Sequence, residues 1–167
     1  MREALQALNR LVSEGAIRGY AIGGAIGASF YIQAMQTEDV DAFVFLPDSP
    51  LGLVTLTPIY EALSRFGGVV EREYVRFGNW PLQILTDATP LLGEAILRAV
   101  DVSFHGIPTR VFRAEHLCAV GLQTGREKDY LRVRLFLEQG AVDKDALQEI
   151  AQRYRLTARL ARVQEGH

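Results

Sequence analysis

The sequence predicts an α+β fold in which a small mixed sheet, flanked by helices, is followed by a helical C-terminal segment. Up to residue 112, short apolar runs bounded by glycine and proline predict strands, and segments with helical spacing separate several of them. From residue 113 onward only helical spacing remains. At 167 residues, with 49% hydrophobic and 23% charged residues, the chain fits one domain, or one domain with a small helical appendage. We therefore expect a core over residues 1–112 and a helical segment over 113–167 that packs on it.

Composition limits the classes of function. A formal net charge of -2 at pH 7 predicts no general attraction to nucleic acid. The single cysteine, Cys118, excludes an internal disulfide framework, and its apolar neighbours predict a buried structural thiol. His105, His116 and His167 show no metal-ligand spacing. The N-terminus lacks the features of a signal peptide, and no apolar run reaches membrane-spanning length. We expect a cytoplasmic protein with no membrane association.

The first half of the chain alternates helices and strands. Leucines at helical spacing and Val12 predict an amphipathic helix over residues 2–14, which Gly15 ends. Residues 20–22 predict a strand, Gly23-Gly24 a turn, and the small residues after the turn a second helix. A second strand is predicted over residues 42–46, and prolines 47 and 50 interrupt the chain after it.

The elements that follow are predicted by the same rules. A helix over residues 56–66 presents Ile59, Leu63 and Phe66 on one face, and Gly67-Gly68 ends it. Strands are predicted over residues 69–70, 74–77 and 81–86. A helix begins at Pro90 and runs to residue 97, and a hairpin pairs 102–105 with 109–112 across 106–108. The C-terminal helices are predicted over residues 114–122, 128–138, 143–154 and 157–163.

Two acids at the entry to the second strand are the main chemical signal. Because side chains alternate along a strand, Asp39 and Asp41 project from the same face, while Val40 points the other way. Two neighbouring carboxylates repel each other, and a divalent cation such as Mg²⁺ stabilises the pair. The glycine turn lets the backbone approach a bound group, and the amides that open the next helix favour an anion. A metal and a phosphate together indicate a nucleoside triphosphate.

With Gly23-Gly24 followed at a helix's distance by Asp39-Val40-Asp41, the chain resembles the nucleotidyltransferase superfamily, the polymerase-beta-like fold. The resemblance implies that Asp39 and Asp41 are catalytic and bind Mg²⁺ or Mn²⁺, and that Gly23 and Gly24 face the triphosphate. Thr37 is expected to cap or orient the start of the strand ahead of the acids.

The third carboxylate of this superfamily has no direct counterpart here. The resemblance places that catalytic position at Gln83, whose neutral amide can bind a metal weakly but cannot accept a proton. Asp87 lies just beyond the same strand, and we interpret it as the cap of the helix that begins at Pro90 rather than as a substitute acid. Ser29, after the glycine turn, is interpreted as a packed residue of a helix interior.

A charged segment near the C-terminal end gives a second signal. Arg126, Asp129 and Arg132 recur every three residues and so lie near one helical face. A basic group there can meet phosphate with Asp129 orienting it, and the alternative is a solvated face with internal ion pairs. Lys-Asp pairs on such a helix resemble those of nucleotidyltransferase-like proteins of toxin–antitoxin and abortive-infection systems. That resemblance implies nucleotide-binding roles for Lys128 and Asp129.

Two functions follow from these resemblances. The first is an enzyme that binds a nucleoside triphosphate with Mg²⁺ and transfers a nucleotidyl group to a hydroxyl of an RNA, a protein or a small molecule. The alternative is a catalytically silent domain that senses nucleotide or binds a partner, such as a cognate toxin or antitoxin. The C-terminal arginines at 153, 155, 159 and 162 can form a stripe for RNA, but the interspersed acidic and amide residues favour a solvated helix.

Overall fold

The structure is a computed structural model that describes residues 1–33, 37, 39–48 and 55–165. In the first two thirds of the chain, helices and strands alternate, and the chain ends in a run of four helices. The helices among the described residues are α1 (Arg2–Ser13), α2 (Gly24–Ala28), α3 (Thr57–Arg65), α4 (Pro90–Leu97), α5 (Ala114–Thr124), α6 (Glu127–Glu138), α7 (Lys144–Arg153) and α8 (Thr157–Gln164). The strands are β1 (Gly19–Ile22), β2 (Val40–Phe45), β3 (Val69–Glu71), β4 (Tyr74–Phe77), β5 (Trp80–Thr86), β6 (Val100–Phe104) and β7 (Ile107–Val111).

The strands form one mixed sheet in the order β3-β4-β5-β2-β1-β7-β6. The two central strands, β2 and β5, run parallel, and β1 pairs with β2 in the antiparallel direction. The short strands β3 and β6 form the two edges. The mixed sheet with helices confirms the predicted α+β fold.

Alternation along the strands produces two hydrophobic cores, one on each face of the sheet. Val40, Ala42 and Val44 of β2 belong to the core that α1 and α3 cover. Phe43, between them in sequence, points to the opposite face and packs with Phe112 and residues of α4–α8. Asp39 and Asp41 therefore share the face on which the C-terminal helices lie. The division of the chain at residue 112 stays a prediction.

One local prediction was wrong. The hairpin turns at His105-Gly106, two residues earlier than expected, and Pro108 lies within β7, opposite Ser103 of β6. This position tolerates proline because β7 pairs with β1 only at Val111, so one edge of the strand needs no partner near Pro108. The helix after the glycine turn has only five residues, so its dipole is much weaker than that of a full helix.

The helical C-terminal segment follows the predicted boundaries closely. Gly125, in the left-handed conformation, ends α5 as expected, and Asp143 caps α7 by accepting hydrogen bonds from the amides of Asp145 and Ala146. Among the described residues, no helix is both long enough and apolar enough to cross a membrane.

Candidate functional site

The glycine corner after β1 lies directly against the second acid. The Gly23 amide donates a hydrogen bond to the Asp41 carbonyl oxygen at 3.0 Å, which fixes the corner beside β2. Gly24 has a φ of +57°, and a Cβ added there would collide with the carboxylate of Asp41, 2.9 Å from its Cγ. Glycine at this position therefore supplies both the left-handed backbone and the space that the Asp41 carboxylate occupies.

The two acids sit side by side and half-buried at the start of β2. The hydroxyl of Thr37 donates to Oδ1 of Asp39 at 3.1 Å and orients that carboxylate. Burial and the negative charge of Asp39 raise the pKa of Asp41, which the positive charges of Arg132, Arg126 and Lys128 partly oppose. The two carboxylates repel each other in a half-buried site, and a bound cation would relieve this repulsion.

Gln83 lies next to Asp41, because β2 and β5 are parallel with Asp41 opposite Gln83. On the far side of Gln83, β4 places Tyr74 opposite it. Burial raises the pKa of Tyr74, and the charges of Asp39, Glu73 and Asp41 raise it further, so its phenol lies within the electrostatic reach of the acids. Asp41, Gln83 and Tyr74 thus form one row across three strands, on a single face of the sheet.

Asp87 has neither role considered for it. Strand β5 carries the chain about 10 Å past Gln83 by Thr86, which lies opposite Val44, so Asp87 is not beside Asp41. The cap of α4 is Thr89, whose hydroxyl accepts a hydrogen bond from the Leu92 amide at 3.2 Å. The prediction of Asp87 as the cap was therefore wrong, and the described residues offer no group of three or more Asp, Glu, His or Cys side chains that can hold a metal.

The charged segment at the start of α6 has exposed residues and internal ion pairs, and these ion pairs centre on a buried carboxylate. Asp129 is 1% exposed and accepts hydrogen bonds from Nε of Arg126 at 2.6 Å and from Nη1 of Arg132 at 3.2 Å. The Thr124 hydroxyl donates a further bond to Asp129 at 2.8 Å. Burial raises the pKa of Asp129, but the hydrogen bonds and the charges of the two arginines outweigh burial and lower it. Lys128, the residue before Asp129, is exposed.

Ser29 differs from the sequence interpretation, whereas the four C-terminal arginines are exposed, as the favoured solvated helix predicts. Ser29 is exposed at the end of α2 and donates to the Ile26 carbonyl, so it is not a packed helix residue. Arg153 binds Glu94, while Arg159 donates to the carbonyl oxygens of two residues at the end of α5. Arg162 lies over the ring of Tyr130, so these three arginines engage protein groups.

Sequence reasoning missed one neighbour of the acids and offered two arginines only as an unspecified basic group for phosphate. Tyr74 is placed by the order and register of β5 and β4, which no local pattern reveals. Arg126 and Arg132 were seen in the sequence, but only Lys128 and Asp129 were assigned to nucleotide. The three-residue spacing was the available signal, and it becomes informative once Asp129 is known to be buried.

Comparison with known proteins identifies the fold. The sequence matches no family model and no curated protein. The solution structure of the antibiotic-resistance factor ANT(2'')-Ia is similar with a TM-score of 0.59 and 15% identity, covering 98% of this chain and 96% of that one. A nucleotidyltransferase-like protein from Paracoccidioides brasiliensis has a TM-score of 0.56 at 16% identity, with 96% and 93% of the two chains covered.

A second structure of ANT(2'')-Ia, in complex with adenylyl-2''-tobramycin, is similar with a TM-score of 0.57 at 14% identity. The match covers 90% of this chain and 94% of that one. The chain therefore has the nucleotidyltransferase fold over nearly its whole length, as its resemblance to that superfamily predicted.

Proposed function

We propose that this chain, with its nucleotidyltransferase fold, binds a nucleoside triphosphate together with a divalent cation and transfers a nucleotidyl group to a hydroxyl acceptor. One observation carries the proposal. The carboxylate of Asp41 packs against Gly24, with Asp39 beside it, and the charges of Arg126, Lys128 and Arg132 act on it from α6 and its N-cap. An acidic pair beside a glycine corner, within the electrostatic reach of a basic group, supports the binding of a metal and of phosphates at this corner.

The residues at this corner fit a hard divalent cation. Asp39 and Asp41 supply carboxylate oxygens, and the Thr37 hydroxyl occupies only one oxygen of Asp39. Among the described residues, no hydrogen bond to the Asp41 carboxylate is found, and burial and the charge of Asp39 raise its pKa. Mg²⁺ or Mn²⁺ held by these two residues would stabilise the attacking and leaving oxygens of an in-line transfer.

The other residues bind and orient in this proposal. Gly23 and Gly24 leave room for phosphate close to the backbone, and Lys128 neutralises its charge. Gln83, beside Asp41, orients the attacking hydroxyl or offers a weak amide ligand, but it does not take the proton. A small-molecule acceptor is supported by ANT(2'')-Ia, which was solved with adenylyl-2''-tobramycin, and RNA and protein hydroxyls remain further candidates.

Calorimetry tests the binding half of the proposal. Titration with a non-hydrolysable triphosphate and Mg²⁺ should give binding to the wild-type chain that is lost in Asp39→Ala/Asp41→Ala. The fold should persist in this variant, because the change removes two carboxylates that repel each other. Identical titrations of wild type and variant would contradict the proposal.

Gln83 favours one alternative: a catalytically silent domain that senses nucleotide or engages a partner of the toxin–antitoxin type. Without a third carboxylate beside Asp41, the site can bind a triphosphate but lacks the expected proton acceptor. Incubation with α-labelled triphosphates and cell extract separates the two functions. Transfer of label excludes the silent domain, while tight binding without transfer supports it.

A further inference from the structure

Asp129 is the centre of an ordered cluster of cations at the start of α6. Its carboxylate is almost fully buried and takes hydrogen bonds from Nε and Nη2 of Arg126, at 2.6 and 3.3 Å, and from Arg132. Thr124 adds a hydroxyl donor at 2.8 Å. With its oxygens occupied in this way, Asp129 holds two guanidinium groups in fixed positions and is not itself available to a ligand.

The two arginines keep donors free while Asp129 holds them. Nε of Arg132 is buried and has no hydrogen-bond partner among the described residues, which is costly unless a ligand supplies one. Arg126 contacts Asp129 through Nε and Nη2, so its Nη1 is not part of that contact. The sheet face that carries Asp39 and Asp41 is the face on which the C-terminal helices lie, and the charges of both acids act on Arg126.

The charges at the site favour a polyanion. A divalent cation would balance Asp39 and Asp41. Helix α6 with its N-cap carries four positive charges, those of Arg126, Lys128, Arg132 and Arg134, and three negative charges, those of Glu127, Asp129 and Glu138. Four against three leaves one surplus positive charge, and Arg126 and Arg132 share the single carboxylate of Asp129. A polyphosphate chain carries matching negative charge and presents oxygens to which guanidinium groups bind in a fork.

We propose that Arg126 and Arg132 form a clamp for the polyphosphate of the nucleotide, and that Asp129 is the positioning residue that holds the clamp open. This inference rests on the proposed function for the identity of the ligand. It favours the orienting role that the sequence offered for Asp129 over the nucleotide-binding role that the resemblance implied, because Asp129 acts through the arginines and does not touch the nucleotide. Lys128, exposed beside them, adds charge without the fixed geometry of the arginine pair.

Inorganic tripolyphosphate, titrated by calorimetry without metal, tests the clamp separately from the acidic pair. We expect Arg126→Gln and Arg132→Gln each to weaken binding about tenfold, as for the loss of a charge-assisted hydrogen bond. Arg10→Gln is the matched control, because Arg10 is as exposed as Arg126 and also pairs with an acid on a helix, but lies on α1. It should leave binding unchanged.

The positioning role needs a readout that loss of fold cannot imitate. Asp129→Asn removes the charge but keeps the shape, and it should weaken tripolyphosphate binding while circular dichroism still shows a folded chain. If that variant unfolds, Arg126→Lys serves instead: it keeps the charge but loses the fork, so it should recover less than half of the affinity lost in Arg126→Gln. If Arg126→Lys bound tripolyphosphate as tightly as the wild type, the positive charge alone would explain binding, and the clamp geometry would be overturned.

The outcomes separate this inference from the proposed function. Wild-type binding of Mg²⁺-triphosphate that is unchanged in both arginine variants overturns the clamp and leaves the function standing. Tripolyphosphate binding that the arginine variants lose, without any Mg²⁺-dependent nucleotide binding, supports the clamp and overturns the function. Absence of binding to both ligands in the wild type overturns both.

Discussion

Gly24→Ala tests whether glycine is needed at position 24 to leave room for the Asp41 carboxylate. Alanine at a φ of +57° costs about 1–2 kcal/mol of backbone strain in the left-handed region. In addition, the new Cβ would overlap the carboxylate of Asp41, so the carboxylate must move away from the corner. For a domain stable by about 5–15 kcal/mol the strain alone leaves the chain folded. We therefore expect a folded protein that has lost at least tenfold in affinity for Mg²⁺-triphosphate.

Gly140→Ala is the matched control for this prediction. Gly140 has a φ of +62°, close to that of Gly24, but a Cβ there meets nothing within 4 Å. Urea unfolding should show a similar loss of about 1–2 kcal/mol from strain in both variants, while calorimetry shows weakened binding only in Gly24→Ala. The reasoning is refuted if Gly24→Ala binds the nucleotide as well as Gly140→Ala does.

Three further changes test the row of residues beside the acids and the packing of α7. Gln83→Asp supplies the missing carboxylate, so it should raise label transfer about 100-fold, as general bases do. Gln83→Asn is the control, and equal transfer by the two variants would show that the proton acceptor lies elsewhere. Tyr74→Phe should keep triphosphate affinity within about twofold but lower transfer about tenfold if its phenol helps a general acid–base step; equal transfer would remove Tyr74 from the site. Although burial raises the pKa of Glu94, hydrogen bonds from Tyr154, Arg153 and His116 lower it to about 2, so its stabilisation is present above its ordinary pKa of 4.5 and is lost as pH falls towards 2. Between pH 4.5 and pH 2, the free energy of unfolding should therefore fall less steeply with pH for Glu94→Gln than for the wild type. Equal slopes for the two proteins would contradict this prediction.

The fold could be predicted because its signals are local. Alternation, glycine turns and helical spacing place each strand and helix to within a few residues, and Asp143 and Gly125 identify helix ends by their own chemistry. Thr89 could have been found in the same way, since the residue directly before a proline at the first helical position is the cap. Asp87 was chosen instead because aspartate is a preferred N-cap residue.

The site was only partly predictable because its neighbours come from different parts of the chain. Gly24 and Asp41 were predicted to belong to one site, since they lie on either side of a single predicted helix in the sequence. The position of Gln83 beside Asp41 followed from the resemblance, but Tyr74 depends on the register of β4 on β5, which only the assembled sheet defines. In the same way, burial of Asp129 arises from packing between α5 and α6, and sequence spacing alone cannot distinguish a buried ion pair from an exposed one.

Crystals soaked with Mn²⁺ and a non-hydrolysable triphosphate, followed by anomalous diffraction, test the central claim most directly. The account predicts a metal peak bound by carboxylate oxygens of both Asp39 and Asp41 beside the glycine corner, with the phosphates reaching towards Arg126 and Arg132. A metal and nucleotide bound away from this corner, or a corner that stays empty at saturating ligand, would contradict it.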